Sequence, residues 1–258
     1  MITSPQNASI KKIRHLQRRS KARREYQAFV IEGLRLVEEA QRTGWDPELV
    51  IFTDGLDSRG EQIVSHYRDQ GISVKRVSQE VMAEASDTHT PQGLLAVLPL
   101  ERQPQPENID FLILADQIRD PGNLGTLLRT CLAAGVDTVL LPPGTVDPHA
   151  PKVVRAGMGA HFQLPIAKVS WKEIEHKLAD LNVFTADVGQ GISYTRADLT
   201  RPLALIIGSE ARGPGPRALA LADQILHIPM PGPAESLNAA VAGAILIFEV
   251  VRQRGSAA

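Results

Sequence analysis

The residues best suited to chemistry lie in two loops close to the C-terminal end of this 258-residue chain. The first is Gly208-Ser209-Glu210-Ala211-Arg212-Gly213. The second runs Ile228-Pro229-Met230-Pro231-Gly232-Pro233-Ala234-Glu235-Ser236-Leu237-Asn238. Each follows a short apolar run that reads as a buried strand. Glycine lets a backbone approach a ligand closely, and three prolines fix φ and stiffen the second loop. Proline has no N–H, so donors remain only on the residues between, such as Met230, Gly232 and Ala234. Such a loop can hold a flat heterocycle by main-chain hydrogen bonds at little ordering cost. The two loops together predict a small-molecule pocket.

A third stretch, Asp116-Gln117-Ile118-Arg119-Asp120-Pro121-Gly122-Asn123, leads into a helix expected over Leu124–Ala134. Leu124, Leu127, Leu128, Cys131 and Leu132 form its buried stripe. Asn123, Thr126, Arg129 and Thr130 share the other face, at the carboxyl end of a strand, where α/β sheets keep their sites. Spacing alone equally allows Asn123 to be an N-cap and Arg129 a surface cation. Other chemistries fail on their motifs. The Gly208–Gly213 distance matches a phosphate-binding loop, but Pro214 stands where Lys-Ser/Thr is required. No G-x-G-x-x-G follows an early strand, which leaves a nicotinamide-dependent dehydrogenase poorly supported. Glu210, taken alone, could meet a ribose hydroxyl, a base edge or nothing. Ser236 lacks a G-x-S-x-G context and reads as the N-cap of the last helix. The seven histidines are scattered singly, so no metal is expected. His89 and His161 read as structural or polyanion-contacting groups, and Cys131 as a packed core thiol.

The elements that must position these residues fall into two halves. A formal net charge of −1 conceals an asymmetry. Lys11, Lys12, Arg14, Arg18, Arg19, Lys21, Arg23 and Arg24 precede the first acid, Glu25. A basic N-terminal helix on an acidic body points to a polyanion bound locally. Strands are expected at Phe29–Ile31, Leu49–Phe52, Ser73–Val77 and Leu94–Leu98, with helices at Leu34–Thr43, Glu61–Gln70 and Gln79–Glu84. They make a small α/β domain over residues 1–98. Residues 99–108, with three prolines among polar groups, form a linker. In 109–258, strands are expected at Phe111–Ala115, Thr138–Leu141, Val183–Ala186, Leu203–Ile207 and Gln224–Ile228. Helices follow at Pro151–Ala156, Trp171–Leu181, Pro216–Leu221 and Leu237–Arg252. That alternation predicts a mostly parallel sheet covered on both faces. A single cysteine excludes an intramolecular disulfide and fits a reducing compartment. The basic N-terminus has no apolar run behind it, so no secretory leader is expected. The run Ala239–Phe248 is too short to span a bilayer.

Taken in order, these stretches resemble the SpoU (TrmH-like) family of RNA ribose 2′-O-methyltransferases, within the SPOUT superfamily. Asn123 with Arg129, Gly208-x-Glu210-x-x-Gly213, and Ile228-Pro229-Met230 with Ser236-Leu237-Asn238 match its three motifs, over roughly residues 110–250. Lys152–Gly159 looks like the family's middle region. Asn7, the basic helix, Phe29–Gly33 and Thr90–Gly93 resemble a substrate-binding extension akin to small RNA-binding ribosomal proteins. Pro214-Gly215-Pro216 departs from the usual continuation after Gly213. The resemblance implies a trefoil-knotted sheet, S-adenosylmethionine as cofactor, a homodimer and a cytoplasmic enzyme. It implies catalytic roles for Asn123, Arg129, Glu210, Ser236 and Asn238. Cofactor contacts fall on Ile207, Gly208, Gly213, Ile228, Met230, Ser236 and Leu237. RNA, most simply large-subunit ribosomal RNA, would meet the eight N-terminal cations and Arg155. A tRNA-directed methyltransferase and a non-catalytic RNA-binding assembly protein are the alternatives.

Overall fold

A computed structural model describes residues 1–100, 103–187, 191–209 and 213–255. By its contacts the chain divides into two units, one of Met1–Glu101 with His149–Phe162, the other of Arg102–Pro148 with Gln163–Ala258.

The first unit contains α1 (Ala8–Arg18), α2 (Ser20–Tyr26), β1 (Ala28–Glu32), α3 (Leu34–Arg42), β2 (Leu49–Phe52), α4 (Ser58–Asp69), β3 (Val74–Arg76), α5 (Gln79–Ala85) and β4 (Leu94–Pro99). Its sheet has the order β1-β4-β2-β3, with β4 antiparallel to both neighbours and β2 parallel to β3. Side chains alternate strictly between two cores. Phe29, Ile31, Leu94 and Ala96 pack with Val37, Ile63 and Tyr67 on one face. Ala28, Val30, Leu95 and Val97 pack with Ile10, Ile13, Val81 and Met82 on the other.

Two expectations change here. The basic segment is not one helix. Arg19 adopts an extended backbone between α1 and α2, at φ −132° and ψ 117°. The Arg23 guanidinium folds back and donates to the carbonyls of Leu16 at 2.6 Å and Gln17 at 3.3 Å. It thereby satisfies carbonyls that α1 leaves open at its end. Residues 149–162, read from the sequence as part of the second domain, belong to the first unit. There α7 (Pro151–Gly157) packs on β1. Val154 and Phe162 join the Phe29 core, and Trp45 Nε1 donates to the Phe162 carbonyl at 3.2 Å.

The second unit contains β5 (Phe111–Ala115), α6 (Pro121–Ala133), β6 (Thr138–Leu141), β7 (Ile166–Lys168), α8 (Trp171–Leu178), β8 (Asn182–Ala186), β9 (Ile192–Ser193), β10 (Leu203–Ile207), α9 (Pro216–Ala220), β11 (Gln224–His227) and α10 (Ala239–Gly255). The sheet order is β7-β6-β5-β10-β8-β11-β9, and every pairing is parallel. The edge strands β7 and β9 were not expected. Three and two residues long, they carry too little apolar pattern to show in the sequence. Leu112, Leu114, Leu140 and Ile206 face Ile174, Leu178 and Ala218 of α8 and α9. On β10 and α6 packs α10, and Gly243 leaves room for Leu127, whose Cδ1 would lie 2.8 Å from an added Cβ.

Leu114 is fully buried in the central strand β5. Leu114→Ala should lower the unfolding free energy of this unit by about 2–5 kcal/mol in urea titration, through lost transfer energy and a cavity.

Candidate active site

Parallel pairing brings three strand ends to one edge of the second unit's sheet. From β10 the chain enters the glycine loop, from β11 the proline loop, and from β8 it reaches Asp187. Between them lies a cavity of about 410 Å³, within the usual range for small-molecule sites. Ile207, Gly208, Gly213, Ile228, Met230, Ser236 and Leu237, the residues given a cofactor role on sequence grounds, all line it. So do Asp187, Ser209, Leu226 and Glu235, which the motifs did not single out. The position of Asp187 just beyond a strand's carboxyl end was the available signal.

The glycine loop is tied at its neck. Ser209 N–H donates to the Gly213 carbonyl, and Gly213 N–H to the Ser209 carbonyl, both at 2.9 Å. Gly213 takes φ +64°, a conformation that favours glycine. At Gly208 an added Cβ would sit 2.1 Å from Pro214 N, so no larger residue fits. The departure Pro214-Gly215-Pro216 is accommodated without breaking this path, because Pro216 occupies the first turn of α9. Glu210 lies outside the described residues.

At the start of α6, Asp120 is the N-cap, its Oδ1 accepting from Asn123 N–H at 2.9 Å. This replaces the reading of Asn123 itself as the cap and leaves its side chain to other work. Asn123 Oδ1 accepts from Asn238 Nδ2 at 2.9 Å. Asn238, in turn, accepts through Oδ1 from the N–H groups of Ala240 at 2.9 Å and Val241 at 3.3 Å. Asn238 therefore caps α10, which begins at Ala239 rather than Leu237, and Ser236 is not the cap. The first and third motifs thus meet side chain to side chain. Arg129 projects from the exposed face of α6 and is not among the cavity's lining residues. Cys131 is fully buried, and burial pushes its thiol pKa far up, which removes it as a nucleophile.

The proposed RNA-contacting cations divide. Lys11, Arg18, Arg19, Lys21 and Arg24 are exposed. Lys11, Arg14, His15, Arg18 and Arg19 line a recess of about 250 Å³ in the first unit. Several have carboxylate partners: Lys12 with Glu48 at 2.6 Å, Arg14 with Glu84 at 3.4 Å, Lys21 with Glu25 at 3.6 Å, and Arg155 with Asp87 at 2.9 Å. Arg23 is 5% exposed and committed to α1, so it leaves the set of RNA-facing residues. His161 is likewise buried, its ring 5.6 Å from that of His149, whereas His89 is exposed.

Residues 110–248 match the SpoU rRNA Methylase family, and residues 7–96 the MRM3-like substrate binding domain. The chain belongs to the SpoU rRNA methylase family. Among its relatives, the 23S rRNA (guanosine(2553)-2'-O)-methyltransferase RlmP of Bacillus subtilis is 32% identical, over 96% of this chain and 98% of the relative. The human mitochondrial rRNA methyltransferase 3 is 31% identical, over 89% of this chain and 69% of that protein. The crystal structure of the AdoMet-bound rRNA methyltransferase from Sinorhizobium meliloti matches with a TM-score of 0.87 at 30% identity, covering 97% of both chains. The SpoU fold class, the S-adenosylmethionine cofactor and the enzyme class, an RNA ribose methyltransferase, follow for this chain.

The cavity's composition fits that cofactor. Ile207, Leu226, Ile228 and Leu237 offer apolar walls for a purine, while Ser209, Ser236, Asp187 and Glu235 offer hydrogen-bonding groups for a sugar and an amino acid. Because Gly208 has no space for a methyl group, Gly208→Ala should weaken S-adenosylmethionine binding at least about tenfold by calorimetry, as the loop opens to relieve the clash.

Proposed function

We propose that this chain transfers a methyl group from S-adenosylmethionine to a ribose 2′-hydroxyl of large-subunit ribosomal RNA. The observation that carries this reading is the cavity joining the glycine and proline loops, with Asn123 of the first motif bonded to Asn238 of the third, between the lining residues Leu237 and Ala239. The match of residues 7–96 to a substrate-binding domain supports a ribosomal target over a transfer RNA. The A. aeolicus TrmH/SpoU tRNA modifying enzyme, by contrast, covers only 58% of this chain, at a TM-score of 0.50.

When bound, S-adenosylmethionine supplies an electrophilic methyl group on a sulfonium. The protein's part is alignment, since in-line displacement at the methyl carbon by a ribose oxygen depends on donor and acceptor geometry. Main-chain groups around Gly208, Ile228, Met230 and Leu237 would hold the cofactor. Asn123, fixed by Asn238, orients the ribose together with Glu210 and Ser236. Arg129 carries a guanidinium that stays protonated in proteins, so it does not serve as a base. It clamps the neighbouring phosphate and stabilises the alkoxide that develops as the 2′-hydroxyl gives up its proton to solvent water.

The exposed cations of α1 and α2 dock RNA through its phosphates, which gives affinity without sequence information. A homodimer and a cytoplasmic location complete this reading. On α10, Val241, Phe248 and Val251 remain 47%, 48% and 37% exposed. Their spacing puts them on one stripe, suited to burial against a second copy. Threading of the C-terminal segment into a knot belongs to the same reading. Its support is the insertion of β10 between β5 and β8.

Asn123→Ala and Arg129→Ala should each slow methyl transfer to ribosomal RNA by roughly 100-fold or more, with cofactor affinity kept within a few-fold. Near wild-type transfer by either variant would refute its assignment. Replacing Arg18, Arg19 and Arg24 by Gln should flatten the slope of log binding constant against log salt by about 2 in filter binding. An unchanged slope would remove these residues from the RNA surface.

A further inference from the structure

One charged side chain in the second unit is fully buried and takes no part in the chemistry above. Asp116, directly after β5, has no exposed surface. Its N–H donates to the Ile207 carbonyl at 2.8 Å, and its Oδ2 accepts from the Gly215 N–H at 2.7 Å. Ile207 is the last residue before the glycine loop, and Gly215 the first beyond Pro214. A single residue therefore bonds on both sides of the cavity-lining residues Gly208, Ser209 and Gly213.

The grip is built closely. At Gly215 an added Cβ would lie 3.1 Å from Asp116 Oδ2 and 2.6 Å from Gln117 Nε2. Gln117 takes φ +54°, uncommon outside glycine, and its N–H donates to Thr145 Oγ1 at 3.1 Å. The Thr145 hydroxyl donates to the Ala115 carbonyl at 2.8 Å, bracing the far side of Asp116. Among the described residues, Asp116 Oδ1 has no hydrogen-bond partner. A buried, half-satisfied carboxyl is costly, and an apolar side chain would fill the same space at lower cost. What an apolar side chain cannot supply is an acceptor for Gly215 N–H.

We infer that Asp116 is a positioning residue for cofactor binding, fastening Ile207 and Gly215 so that the lining residues Gly208, Ser209 and Gly213 are in place before S-adenosylmethionine arrives. Full burial keeps it from touching substrate, and its effect on affinity comes through preorganisation. The inference rests on the cavity being the cofactor's, as proposed above. Burial raises the carboxyl's pKa, against the opposing pull of the Gly215 N–H. The Gly215 N–H needs an acceptor oxygen, which a side-chain amide also supplies.

The test compares Asp116→Ala, Asp116→Leu and Asp116→Asn in the full chain, by calorimetry with S-adenosylmethionine and by amide hydrogen exchange without it. Leaving the Gly215 N–H without an acceptor corresponds to a roughly ten- to hundredfold rise in Kd for the Ala and Leu variants. Asp116→Asn should stay within about threefold of wild type, and RNA affinity should be unchanged in all three. Ser209 and Gly213 amides should exchange faster in the Ala and Leu variants only. Wild-type cofactor affinity in folded Asp116→Ala or Asp116→Leu would overturn the inference, as would an equal loss in Asp116→Asn. Should Asp116→Ala not fold, the space-filling Leu variant decides against Asn. If wild-type protein itself does not bind S-adenosylmethionine, the functional reading falls, whereas the exchange of Ser209 and Gly213 still reports on the clamp.

Discussion

Parallel pairing throughout the second unit's sheet sends the carboxyl end of every strand to the same edge, and the placement of all the candidate chemistry depends on that constraint. Because β10 inserts between β5 and β8, the glycine loop emerges at the middle of the edge. The proline loop emerges from β11, beyond the intervening β8, and the Asp116 turn from β5, the other neighbour of β10. An antiparallel partner in place of β10 would carry the glycine loop to the opposite edge, and no adjustment of the loops could bring the motifs together. The buried apolar strands are thus the source of the site's geometry, and the polar residues at their ends make use of it.

Two polar links convert this edge from a meeting place into a defined cavity. Asn238 bonds to Asn123 across 115 residues of sequence, and Asp116 to Gly215 across 99. The first shares its side chain between capping α10 and fixing Asn123, so the start of the last helix and the orientation of the first motif are one arrangement. The close approach of α6 and α10 at Gly243 keeps the two asparagines within reach. Residues distant in the chain are coupled here by short bonds that leave little freedom for one motif to shift without the others.

Much of this was legible in the amino-acid order, for identifiable reasons. Strands such as Phe111–Ala115 and Leu203–Ile207 are continuous apolar runs, which is how a strand buried on both faces reads. Glycine, proline and strand ends announce two loops at a sheet edge, and the seven residues that the family resemblance assigned to the cofactor fall on the one cavity between them. Edge strands of two or three residues have no period to detect. The cap of α10 lies two residues later than expected because Ser236 and Asn238 are both good caps, and only the Ala240 and Val241 amides, which donate to Asn238 Oδ1, distinguish them. Arg23 looked like its basic neighbours, since a guanidinium turned inward onto carbonyls has no signature in composition. The partnership of Asp116 with Gly215 is a long-range contact between residues that carry no motif of their own.

The excursion of residues 149–162 changes what kind of two-part molecule this is. The backbone crosses from one unit to the other at 101/102, at 148/149 and again at 162/163. The Phe29 core is completed by Val154 and Phe162, residues that lie beyond β6 of the other sheet in chain order. A cut in the proline-rich linker therefore does not yield two self-sufficient pieces: the N-terminal fragment would keep Trp45 and Phe29 but lose the side chains that cover them. The family matches divide the chain by sequence, whereas the first unit's core draws on residues from within the stretch matched by the second.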